Sequence, residues 1–119
     1  MRNFKELRIW KNGIDIAIKT YRITETFPKE DKYTLVQQMN RAGISIPSNI
    51  AEGSSRKSEK DYYRFIEIAL GSTYELETQV IIAEQLKKGD QQLLQELKAA
   101  LIDEQKMLTG FQQVLINNQ

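Results

Sequence analysis

Chemistry at neutral pH usually asks for histidine, cysteine or a pair of carboxylates. This 119-residue sequence contains no histidine and no cysteine. The commonest general base and metal ligand are therefore missing, along with any thiolate nucleophile or disulfide framework. Glu75 and Glu77 come nearest to a carboxylate pair, but residues two apart on a helix point to different faces. Inward glutamates of a helical bundle can hold two irons, yet such sites need Glu-x-x-His motifs. Gly71-Ser72 falls in a helical stretch and lacks the phosphate-loop pattern. These absences predict a protein that is not an enzyme and carries neither metal nor cofactor.

Cations remain. Lys57, Lys60 and Arg64 recur at spacings of 3 and 4, which places them on one helical face. Arg56 adjoins them on a turn, and Arg8 and Lys11 lie on the first helix. Flexible cations beside a helix start suit phosphate contact without base reading. These six are the candidate nucleic-acid-binding residues, with weak and non-specific binding expected. Tyr62 and Tyr63 are close enough to stack on bases, although core and rim roles suit them better.

Four helices have to position these groups. Leu7, Trp10, Ile14, Ala17, Tyr21 and Thr24 form a seam predicting a first helix over about 4–26, which Phe27-Pro28 stops. A second seam, Leu35, Met39, Ala42, Ile46, Asn49 and Gly53, keeps its phase across Pro47. That favours one continuous, kinked helix over two helices meeting at the proline. Gly43, four residues before Pro47, removes the Cβ that would crowd the bend. Gly53 is a candidate C-terminal cap.

The third helix starts after the N-cap Ser58 and runs to about Lys88. Its seam is Tyr62, Phe65, Ala69, Ser72, Leu76, Gln79, Ala83 and Leu86, and Gly89 ends it. Lys87 and Lys88 complement the negative end of its dipole. Asp90 caps a fourth helix with the seam Leu94, Leu97, Leu101, Glu104, Leu108, Phe111 and Leu115. Short connections between long helices imply an all-α, up-down-up-down antiparallel bundle.

Asn49 lies where a leucine would be expected, so its amide needs partners, with Ser72 and Gln79 of the third helix as candidates. A polar seam residue of this kind sets register more often than it catalyses. Folding back near residue 56 would bring Arg41 to Glu75 as an ion pair, beside a close Gly43–Gly71 crossing. Ile9, Ile16 and Ile18, with Ile66, Leu70, Val80, Ile81, Ile102, Met107 and Val114, lie off the seams. A second apolar stripe widens the core or makes an oligomer interface, and partial use in an interface is expected.

The run Gln38…Arg41-Ala42-Gly43-Ile44-Ser45-Ile46-Pro47-Ser48-Asn49-Ile50-Ala51-Glu52-Gly53, followed by Phe65…Ala69…Gly71-Ser72…Glu75-Leu76-Glu77-Thr78-Gln79, resembles a known family. It is that of the four-helix-bundle proteins encoded in intervening sequences of bacterial 23S ribosomal RNA genes. The accessory variability protein of diversity-generating retroelements belongs to the same family. The resemblance covers roughly residues 4–88. It marks Gly43, Pro47, Asn49, Glu52, Gly71, Ser72, Glu75 and Gln79 as the structural motif. It implies a homo-oligomer, typically a pentamer, without enzymatic activity. The retroelement members are strongly basic and bind nucleic acid and a reverse transcriptase.

Composition sets the outer bounds. The length suits a single domain, 1–119. No apolar run approaches the roughly 20 residues that span a membrane, and no signal-peptide core follows Met1, so a cytoplasmic protein is expected. The net charge is only +1, but the bundle topology distributes it unevenly. Arg2, Lys5, Arg8, Lys11, Arg56, Lys57, Lys60, Arg64 and Lys106 gather at one end against Glu6, Glu52, Glu59 and Asp61. Two functions remain open: an oligomeric module that binds RNA or DNA or adapts a nucleic-acid-handling protein, or a purely protein-binding homo-oligomer.

Overall fold

The computed structural model describes residues 3–118. Four helices follow one another: α1 (Arg8–Thr24), α2 (Leu35–Ser54), α3 (Glu59–Gln85) and α4 (Gln91–Asn117). Each packs on the next, and α1 closes the bundle against α4. The particle measures 46 × 22 × 20 Å. Its long axis is a little more than the ~40 Å of a 27-residue helix. No helix among the described residues is long and apolar enough to cross a membrane.

The ends follow local chemistry. Ser58 Oγ accepts from Asp61 N at 3.1 Å, and Asp90 Oδ1 accepts from Leu93 N at 3.0 Å, so both expected N-caps form. Gly89 has φ +77°, and a Cβ there would come within 2.4 Å of the Phe27 ring, so the turn needs a glycine. Three boundaries shift. A 3-10 turn at Phe4–Glu6 precedes α1, and Leu7 between them is extended at ψ 132°. α2 begins at Leu35, two residues after the start near Tyr33 that Pro28 and the acidic connector behind it predict, and α3 ends at Gln85 rather than Lys88. Lys88 does not serve the dipole; its Nζ lies 2.8 Å from both oxygens of the mostly buried Asp31, which ties the first connector to the third.

The seams of α2 and α4 lie as expected, with Met39, Ala42, Ile46, Leu94, Leu97, Leu101, Leu108 and Leu115 buried. On α3, Tyr62, Ala69, Leu76 and Ala83 are buried, joined by Ile66 and Val80, while Leu86 is exposed.

The α1 seam is out of phase with the sequence reading. Ile9, Gly13, Ile16, Thr20 and Ile23 face the core. Trp10, Ile14 and Ala17 are half-buried and Tyr21 is exposed. The core stripe also has 4, 3, 4, 3 spacing, but its glycine and threonine hid it behind a more apolar neighbour. Those small residues let α2 come close. A Cβ on Gly13 would meet Ile46 and Pro47 at 3.4 Å.

Gly43 is likewise a close-approach site, but against α1. A Cβ there would lie 3.1 Å from Thr20 Oγ1, whereas one on Gly71 would meet nothing within 4 Å. The expected Gly43–Gly71 crossing is absent. Gly53 is not a cap either. It is buried inside α2, where a Cβ would lie 2.8 Å from Phe65 Cβ. Pro47 sits in the interior of one continuous helix.

Candidate functional site

α1 rises from the end of the bundle at which α2 stops, α3 starts and α4 finishes, so the six candidate cations share that end. They fall into two groups. Arg8 and Lys11 line a cleft of about 560 Å3 between α1 and α4, together with Lys106. Asp15 and Asp103 line it too, so this end is less positive than the sequence count suggested. Arg56 and Arg64 border a smaller cleft of about 250 Å3 with Asp61, Phe65 and Ile68.

The arginines are engaged. Arg56 Nη2 lies 3.2 Å from Glu52 Oε1, and its guanidinium sits 4.5 Å from the Phe65 ring centroid. Arg64 Nη1 lies 3.8 Å from Asp61 Oδ1 with both side chains exposed. Exposed pairs of this kind contribute only about 0.2–1 kcal/mol, so a phosphate can displace them. Lys60 is exposed in the first turn of α3, but Lys57 lies before the Ser58 cap on the connecting turn, so only Lys60 and Arg64 share the expected helical face. Arg2 lies outside the described residues. Tyr62 is a core residue, packed edge-on against Phe111 at 5.4 Å, and Tyr63 is half-buried, the core-and-rim arrangement expected.

The signature residues of α2 and α3 build a polar link. Asn49 is half-buried, and its Nδ2 donates to Ser45 O at 2.8 Å and to Ser45 Oγ at 2.9 Å. Ser45 Oγ is in turn hydrogen-bonded to Ser72 Oγ at 2.8 Å, with either hydroxyl able to donate. The Asn49 amide thus bonds its own helix and reaches α3 only through Ser45. Gln79 takes no part, and its Oε1 is buried without a partner. Glu75 and Arg41 border one cleft with Gln38 and Ser45, but among the described residues no ion pair joins them.

One polar core residue carried no flag in the sequence. Glu104 is 0% exposed at a seam position of α4. Asn12 Nδ2 donates to its Oε1 at 3.0 Å, while Oε2 is buried with no partner. Burial pushes its pKa from 4.5 to about 7, and the Asn12 hydrogen bond opposes the rise. The signal was available in a glutamate set between Leu101 and Leu108 on an apolar stripe. Glu104 is sealed in the core behind Asn12, which lines the α1–α4 cleft, and this burial fits register better than catalysis.

The 23S rRNA-intervening sequence protein family profile matches residues 5–110. Among solved structures, the chain is similar to a protein of unknown function from the S23 ribosomal protein family of Bacteroides thetaiotaomicron. The identity is 19% and the TM-score 0.80, over 87% of this chain and 96% of that one. At that identity the likeness speaks for the fold. No curated protein matches.

Proposed function

The chain belongs to the 23S rRNA-intervening sequence protein family, and from that premise we propose a non-enzymatic, self-associating module whose basic end holds nucleic-acid phosphates. It acts in the cytoplasm, on RNA or DNA directly or as an adaptor to a nucleic-acid-handling protein. The convergence of Lys57 and Lys60 at the capped start of α3 with Arg8, Lys11 and Lys106 in the α1–α4 cleft supports the binding role. None of these lysines makes an ion pair among the described residues. The α3 N-terminus adds its own attraction for anions, which Glu59 and Asp61 in its first turn oppose, so the binding is weak.

Exposed apolar side chains, among them Ile18, Ile44, Ile68, Ile81 and Ile82, support self-association. The family resemblance implies five subunits. The same side chains favour the second reading, a homo-oligomer that touches protein alone.

The triple variant Lys57→Glu, Lys60→Glu, Arg64→Glu separates the two. All three positions are exposed, so the fold should survive. At low salt the parent is expected to bind a generic RNA and the variant to lose that binding. Equal binding by both removes the basic end as the binding site, and no binding by the parent even at low salt points to the protein-only module.

A further inference from the structure

We propose a second nucleic-acid site at the opposite end of the bundle: a cleft between α1 and α2 that takes an unpaired nucleotide of a single strand by stacking its base on tyrosine. The cleft is about 570 Å3, lined by Tyr21, Tyr33, Lys32, Arg41, Gln37 and Asn40 over Val36 and Ile44. That volume falls within the range of small-ligand sites.

Every part of this set has a use for a nucleotide. Tyr33 is 77% exposed, so core packing does not account for it. Lys32 Nζ stands over one face of the Tyr33 ring, 5.2 Å from its centroid, so a base stacks on the opposite face or displaces this flexible lysine toward its own phosphate. Tyr21, also exposed, brings a second ring to the cleft. Base–aromatic stacking is worth about 1–3 kcal/mol per base and tolerates any base. Arg41 and Lys32 make no ion pair among the described residues, and no acid lines the cleft. Asp31, the acid that precedes Lys32, is committed to Lys88 by both oxygens.

The amides complete the set. Thr24 Oγ1 lies 3.0 Å from Asn40 Oδ1 and 3.1 Å from Tyr21 O, its single proton divided between the two acceptors, and with its oxygen turned to Thr24 the Asn40 amide presents its N–H groups to a base edge or sugar. Gln37 is exposed beside it. An end-by-end charge count hid this patch, because the surrounding end is acidic as a whole. A duplex keeps its bases stacked within itself, so this cleft discriminates strand state where a basic end does not.

The site is independent of the basic end, so either can fail alone. The test measures binding of a ten-nucleotide oligoadenylate RNA, single-stranded and as a duplex with oligouridylate, by fluorescence anisotropy. Four proteins are compared: the parent, Tyr33→Leu, Tyr33→Phe, and the Lys57→Glu, Lys60→Glu, Arg64→Glu triple variant. Tyr33 is too exposed for either of its substitutions to threaten folding.

Tyr33→Leu is expected to weaken single-strand binding about tenfold and leave duplex binding unchanged, with Tyr33→Phe close to the parent. Single-strand binding that survives in the triple variant but falls with Tyr33→Leu supports this site while removing the basic-end reading. Single-strand binding equal in the parent and Tyr33→Leu overturns the proposal, whatever the triple variant does. A fall in solution mass on Tyr33→Leu with RNA binding unchanged also overturns it, and assigns the cleft to a second copy of the chain.

Discussion

Glu104 is the residue whose chemistry departs furthest from its ordinary state. Its folded pKa of about 7 lies above the unfolded 4.5. Below about pH 4.5 both states hold the proton and the shift costs nothing. Between 4.5 and 7 the unfolded chain ionises first, so stability declines as pH rises, by up to about 1.4 kcal/mol per pH unit. Above 7 the loss levels off. Glu104→Gln keeps an acceptor for Asn12 and removes the titration. Urea midpoints should therefore favour the variant at pH 8 and converge with the parent near pH 4.5. A parallel pH profile for the two proteins would contradict the burial argument. Gly43 gives a steric counterpart. Thr20 Oγ1 is held by a 2.7 Å bond to Ile16 O, so it cannot retreat from a new Cβ. Gly43→Val is expected to cost about 2 kcal/mol or more in denaturant unfolding; a variant as stable as the parent would remove the close approach. The sequence made Gly43 stand out, but not its partner. A glycine announces that something comes close, and only the packed fold says what.

Among the elements, α2 and α3 carry the polar link that the sequence placed on their seams. Its geometry makes Ser45 the hub and Asn49 a branch. A double-mutant cycle on Ser45→Ala and Ser72→Ala should give a coupling of about 0.5–1.5 kcal/mol, read from equilibrium unfolding, and strict additivity would deny the link. The helix count, the caps at Ser58 and Asp90, and the α4 stripe were all legible, because each rests on local spacing or a local hydrogen bond. The phase of α1 was not. Its true stripe holds Gly13 and Thr20, poor in apolar area but small enough to let α2 approach at Pro47 and Gly43. Trp10, Ile14 and Tyr21 outscored it on hydrophobicity alone. Two stripes competed on one helix, and close packing between neighbours decided which one faced inward.

At the scale of the whole molecule, a net charge of +1 conceals segregation. Up-down-up-down connection brings the lysines of three helices to one end, although Asp15 and Asp103 temper it. Reading charge by ends grouped Arg8, Lys11 and Lys106, which do line one cleft, but left out Asp15 and Asp103 beside them and passed over the Lys32–Arg41 cleft at the other end. Lys60 and Arg64 were visible in the sequence because a spacing of 4 declares a helical face, whereas Lys57 stands before the Ser58 cap and off the helix. The pairing of Arg56 with Glu52 and of Arg64 with Asp61 was legible as i,i+4 and i,i+3 spacing, whereas the Arg56 contact with Phe65 was not, since it depends on how the α2–α3 turn is built. If phosphates are held at the basic end, binding must release counterions, with log K falling by about 0.7 per neutralised phosphate for each tenfold rise in salt. The most direct measurement is the affinity of the parent protein for a single-stranded RNA across a salt series. Three to five engaged phosphates predict a slope between about −2 and −4. A slope near zero, or no binding even at the lowest salt, would contradict the account.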